Sequence, residues 1–116
     1  MRPRPNKAPA TTATRDRRVH VRIPIRAAVT VDGGATRLCG WVRNLSIGGM
    51  FVETDRTLPT NVEVRVHTLM RDGARVHHLR TAAWVAWIAP DGMGLQFDRL
   101  APEDYHFILR TIERAP

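Results

Sequence analysis

Asn44-Leu45-Ser46-Ile47-Gly48-Gly49 runs directly into Met50-Phe51-Val52. Side chains alternate along an extended chain, so Asn44 and Ser46 share one face while Leu45 and Ile47 turn the other way, toward an apolar interior. Gly48-Gly49 interrupts the alternation. With no Cβ, the pair can take positive φ or let another backbone or a ligand come close. The stretch admits two readings: a strand, a bend and a second strand, or a small polar shelf that holds a ligand. Arg17-Arg18-Val19-His20-Val21-Arg22, upstream, bears on the choice.

Around this stretch the chain reads as short strands. Ile23, Ile25, Ala27, Val29 and Val31 alternate with Arg26, Ala28 and Thr30, the period of two expected of a half-buried strand. Asp32-Gly33-Gly34 is a hairpin turn signal. A second strand is expected from Thr36 to Leu45, and a short third from Met50 to Glu53. Val62, Val64 and Val66 alternate with Glu63, Arg65 and His67 in a fourth. Arg71-Asp72-Gly73-Ala74 turns into a fifth from Val76 to Ile88. The second half of that strand, Ala82-Ala83-Trp84-Val85-Ala86-Trp87-Ile88, is apolar enough for burial on both faces. After Pro90-Asp91-Gly92, Gly94 to Phe97 makes a sixth. Trp41, Trp84 and Trp87 are expected to fill the interior or a helix interface, and Met50 and Phe51 read as core. Short antiparallel strands at this spacing suggest a barrel or a sandwich.

The last segment changes period. Pro102 suits the first helical position, Glu103 and Asp104 complement the positive end of the helix dipole, and Arg110 and Arg114 the negative end. Tyr105, Ile108, Leu109 and Ile112 form one apolar stripe, as in a helix lying on the strands as a lid.

The 116 residues, 43% of them hydrophobic, suit one domain with a modest core. No run approaches the roughly 20 apolar residues of a membrane span. The N-terminus lacks the apolar core of a secretory signal, and the one cysteine, Cys39, has no internal disulfide partner. A cytoplasmic protein is expected. The charge is uneven: residues 1–26 hold eight Lys or Arg and one acid, 8 − 1 = +7, and residues 27–116 hold ten Arg and ten acids, 10 − 10 = 0. Residues 1–15, rich in Pro and cations without periodicity, are expected to be a disordered basic arm on a neutral domain spanning 16–114. Such an arm attracts phosphates of nucleotides, nucleic acids or lipids.

Little points to catalysis. His20, His67, His77, His78 and His106 lack the spacing of a zinc site, Ser46 has no G-x-S-x-G elbow, and phosphate-loop and dinucleotide fingerprints are absent. No enzyme, metal or cofactor is expected.

Arg18-x-x-x-Arg22 together with Asn44-x-Ser46-x-x-Gly49 resembles the two signatures of the PilZ domain family, R-x-x-x-R and [D/N]-x-S-x-x-G, in that order. Arg17 adds the arginine that often precedes the first. The resemblance extends through Arg22-Ile23-Pro24-Ile25, Gly92-Met93-Gly94-Leu95-Gln96-Phe97 and the closing helix, covering 16–114. It implies an all-β fold with a C-terminal helix, a six-stranded antiparallel split β-barrel. It also implies a non-catalytic receptor for cyclic di-GMP, with Arg17, Arg18, Arg22, Asn44, Ser46, Gly48 and Gly49 as the ligand-binding residues. The arm would fold over the ligand, and its change of position would be the output, read by a downstream protein partner.

The residue types suit that ligand. Arginine forks onto a phosphate or the O6/N7 edge of guanine and stacks on a base. Asn44 would meet a guanine edge, Ser46 would bond a phosphate or base, and Gly49 would leave room. The family often has aspartate at the first position; a carboxylate accepts both guanine N1–H and N2–H, whereas an amide offers one acceptor. Two rival readings are a degenerate PilZ-like module that works through a protein partner without the nucleotide, and a nucleic-acid binder using the basic arm. The second lacks the interleaved aromatic and basic residues of a single-strand binder, so nucleic acid is not the expected partner.

Overall fold

The period-two segments form six strands, and the segment with period 3.6 forms a helix. The structure, a computed structural model, describes residues 23–114. The basic arm and Arg17, Arg18, His20 and Arg22 lie outside the described residues. The strands are β1 (Ile23–Asp32), β2 (Arg37–Leu45), β3 (Gly49–Glu53), β4 (Glu63–Asp72), β5 (Arg75–Ala89) and β6 (Gly92–Phe97), followed by helix α1 (Pro102–Arg114). All neighbours are antiparallel, in the order β1-β2-β3-β6-β5-β4, with β4 returning to β1 to close the barrel. The closing ladder is short, running from Val29↔Thr68 to Asp32↔Arg65.

Valines, leucines and methionines from alternate positions meet inside: Val31, Val42, Leu45, Met50, Val52 and Met93 are almost wholly excluded from water. Each buried side chain of this size contributes about 1.5–3 kcal/mol of transfer free energy. No helix among the described residues is long and apolar enough to cross a membrane.

Alternation breaks at defined places. Between β2 and β3 the register shifts between Val42 and Asn44, so Arg43 and Asn44 together face Phe51. Between β5 and β6 it shifts between Val85 and Trp87, and Ala86 is the extra residue. A β-bulge reverses the side on which every later residue of the strand projects. Ala83 and Val85 belong to the core, but past the bulge Trp87 lies on the outside, 45% exposed, with Ile88 beside it at 47%. The expectations that Trp41 and Trp87 fill the interior and that the end of β5 is buried on both faces are therefore corrected. Of the three tryptophans only Trp84 is buried; Trp41, at an outward position of β2, is 44% exposed. Met50 is core as expected. Phe51 is buried too, but outside the core cluster, on the outer surface.

Pro102 opens α1 as expected, and Tyr105 N–H donates to Ala101 O (2.9 Å) as the first helical bond. The residues it buries are Asp104, Phe107, Ile108 and Ile112, with Tyr105 and Leu109 only partly covered. The face is turned toward Phe107 relative to the apolar stripe because a polar contact helps to set it. His77 Nε2 donates to Asp104 Oδ1 (2.5 Å), and the His77 ring stacks on Phe107 at 4.6 Å. Asp104 thus serves the helix dipole and anchors α1 to β5.

Candidate functional site

Ser46 follows the last residue of β2 and begins the bend into β3. Its N–H donates to Gly49 O (2.9 Å), closing a tight turn. Its Oγ accepts from the N–H groups of Gly48 and Gly49, both at 3.2 Å, and donates to Gly49 O at 3.3 Å. A hydroxyl, at once donor and acceptor, is the small side chain that satisfies this turn. Ser46 is 1% exposed. Phe97 N–H donates to Gly48 O (2.9 Å), tying the turn to the end of β6. Gly49 is needed for a close backbone approach: a Cβ there would collide with the carbonyl oxygen of Leu95 on β6. Three of the expected ligand-binding residues, Ser46, Gly48 and Gly49, are thus brought together in one turn.

Asn44 differs from them. It is half-buried, and its Oδ1 is shut off from water with no hydrogen-bond partner. An orphaned buried acceptor costs about 1–3 kcal/mol. A donor arriving from outside the barrel would recover that cost.

Beside Asn44 lies a row of outward residues that the register aligns across four strands: Asn44↔Phe51, Phe51↔Gly94 and Gly94↔Trp87. A Cβ at Gly94 would strike the Trp87 indole, so this glycine lets the ring lie flat on the sheet. The Phe51 and Trp87 rings are 5.2 Å apart. Arg43, the extra residue of the bulge, places its guanidinium 4.1 Å over Phe51 and donates to Asp91 Oδ2 at 2.5 Å. That bond holds the Asp91 carboxyl below the usual aspartate range. Arg26 lies 4.6 Å over Trp41, one row away. Arg43, Phe51 and Trp87 were not anticipated at the site. A bulge leaves no mark in composition, and without it Trp87 falls on the inside.

Nothing in this arrangement resembles an acid–base or nucleophilic pair, since the Ser46 hydroxyl is spent on its own turn. Among the described residues no group of three or more His, Cys, Asp or Glu is arranged to hold a metal ion. The site is an outward shelf: the Trp87 ring beside Phe51, a buried acceptor at its edge, and the Arg43 guanidinium over Phe51.

A small antiparallel barrel closed by one helix, with such a shelf beside the β2–β3 turn, defines the architecture. The PilZ domain family model matches residues 16–114, and the chain belongs to that family. Its domains are generally receptors for cyclic di-GMP and typically non-catalytic. The fold is similar to that of the Bacillus subtilis inhibitor of motility (MotI/DgrA), with a TM-score of 0.72 and 19% identity over 81% of this chain and 48% of that one. The chain thus spans about half the length of that relative. It is also similar to the PilZ domain of CeSA from a cellulose-synthesizing bacterium, with a TM-score of 0.59 and 17% identity over 80% of this chain and 95% of that one. No curated protein matches the sequence.

Proposed function

We propose that the protein is a non-catalytic receptor for cyclic di-GMP, which binds on the outer shelf beside Asn44. The observation that carries this reading is the buried, unpartnered Asn44 Oδ1 at the edge of the Phe51–Trp87 floor. A guanine brings N–H donors on its edge and a planar face for the rings, so one base answers both features. Ile23 and Pro24 pair with Leu45 and Asn44, and the sequence puts Arg22 immediately ahead of Ile23. Arg17, Arg18 and Arg22 therefore belong to the segment that leads into the strand beside the shelf, and supply forks for phosphate and guanine. Ser46, Gly48 and Gly49 hold the turn that sets the shelf's edge, and Gly48, the half-buried residue of the three, faces the ligand. The reading calls for no metal and no cofactor besides the ligand, a cytoplasmic location, and a protein partner that senses the occupied state.

Titration calorimetry with cyclic di-GMP, with GTP as control, tests it. Wild type should bind saturably, and Arg18→Ala/Arg22→Ala should weaken binding at least tenfold for each charged hydrogen bond lost. Equal affinity in wild type and the double variant would sink the proposal. Asn44→Asp separates base reading from simple charge attraction. Affinity for cyclic di-GMP should hold or rise through the added acceptor, while affinity for single-stranded DNA falls.

A further inference from the structure

The zero net charge of residues 27–116 conceals an uneven distribution over the barrel. Glu53, Asp55 and Asp91 gather with Trp41 around one hollow. On the face formed by β1, β4 and the first half of β5 the opposite occurs. The register places Asp32 between Arg37 and Arg65, and in the next outward row places Thr30 beside His67, which faces Arg80. Thr30, Asp32, Arg37, Arg65, His67 and Arg80 line a single groove of about 290 Å³. Short Thr30 makes the floor and the long cations make the walls.

The cations are not neutralised by their own sheet. Arg65 and Arg80 have no carboxylate partner among the described residues. Arg37 meets Asp32 at 3.5 Å with its side chain 70% exposed. Asp32 is itself engaged, accepting from Gly34 N–H at 2.9 Å, and that bond with Arg37 keeps its carboxyl below the usual range. Three guanidiniums against one carboxylate leave 3 − 1 = +2 in the groove. His67 Nε2 also lies 3.4 Å from His78 Nδ1, with the rings stacked, so a second imidazole borders the groove.

We infer that this groove is a second anion site, separate from the shelf, which takes a diphosphate group, free or carried by a nucleotide. The chemistry favours phosphate over carboxylate because planar forks from opposite walls need an anion with oxygens on all sides. Arg37 and Arg65 stand two strands apart, about 10 Å at the backbone from the spacing of neighbouring strands. One phosphate tetrahedron does not fill that span, and two linked ones do. The Thr30 hydroxyl supplies a donor from below.

The test is an amide NMR titration of the full chain with inorganic pyrophosphate at about 0.15 M ionic strength, where long-range attraction is screened. The expected result is saturable shifts at Thr30, Arg65, His67 and Arg80. Arg65→Gln/Arg80→Gln should weaken them at least tenfold, and Arg18→Ala/Arg22→Ala should leave them unchanged. Both substituted arginines are exposed, and an unchanged melting temperature confirms that the variant is folded. Tighter binding of ADP than of pyrophosphate assigns the diphosphate to a nucleotide, and the reverse assigns it to the free anion; either supports the site. Shifts that never saturate, shifts that survive Arg65→Gln/Arg80→Gln, or equal binding of an oligoglutamate peptide would overturn it.

Discussion

The two outer faces of the barrel are built on different plans. On the face of β2, β3, β6 and the end of β5, the register slips once in β2 and once in β5. On the face of β4, the start of β5 and β1 beyond its own slip between Pro24 and Ala27, ten consecutive pairs from Glu63↔Trp84 to Asp72↔Arg75 run without a slip. The slips turn Asn44 and Trp87 outward, and the half-exposed Trp87 ring, resting on Gly94 beside the buried Phe51, is a surface for something large and flat. The unbroken register keeps Arg65, His67 and Arg80 in regular outward positions around Thr30, a surface for something compact and charged. Bulges make an aromatic shelf, and plain alternation makes a cationic groove.

The contrast breaks most readily at Gly49. Gly49→Ala should cost roughly 3 kcal/mol in urea unfolding, because the Leu95 carbonyl it would strike is backbone and cannot step aside. Ser46→Ala should cost roughly 2 kcal/mol, since two turn N–H groups lose their acceptor. Asn44→Ala, two residues away, should be neutral or stabilising in the ligand-free protein, because it removes an oxygen buried without a partner; comparable destabilisation of the two variants would refute this division of labour. Gly94→Ala should cost only about 1 kcal/mol, as the exposed Trp87 ring lifts away and gives up its contact with Phe51. A shift of the Trp87 indole N–H signal would report it. On the regular face, Arg65→Gln/Arg80→Gln should stay within about 0.5 kcal/mol of wild type, as exposed substitutions usually do.

The smallest effect is electrostatic. Arg43 depresses the Asp91 carboxyl, so its stabilising contribution is present above the unfolded value, about 3.9, and is lost as pH falls through the lower folded value. In Arg43→Ala the NMR-titrated pKa of Asp91 should rise toward the ordinary value. An unmoved pKa would show that the Arg43 bridge does not control it.

The strands, the helix and the Gly48-Gly49 bend were legible in the sequence because each follows a local rule, alternation, a stripe or paired glycines, whereas the Ser46 hydroxyl, expected to meet a ligand, is spent on the bend itself. The outward row was not. Trp87 is apolar, and only a one-residue insertion at Ala86, invisible in composition, sends it to the surface. The cationic groove was hidden for a different reason. Arg37, Arg65 and Arg80 are far apart in sequence, and equal numbers of acids cancel them in any count. Their grouping depends on which strands become neighbours. The face of α1 was legible except for its centre, where Asp104 gains a buried place only because His77 stands opposite.

The ladder between β3 and β6 joins residues such as Met50 and Leu95, and the one between β1 and β4 joins Val31 and Val66. The hairpin of β4 and β5 needs only the turn at Gly73. Contacts between distant segments carry a larger loop-closure cost and form late, whereas a hairpin forms on its own. Asn44, Phe51, Gly94 and Trp87 come from four strands, two of them recruited only when β6 has emerged and docked. The shelf therefore has no existence in a half-made chain, whereas Arg65, His67 and Arg80 are already neighbours once a single hairpin zips. Arg65, His67 and Arg80 therefore come together before the aromatic row does, and Thr30 joins them only when β1 pairs with β4.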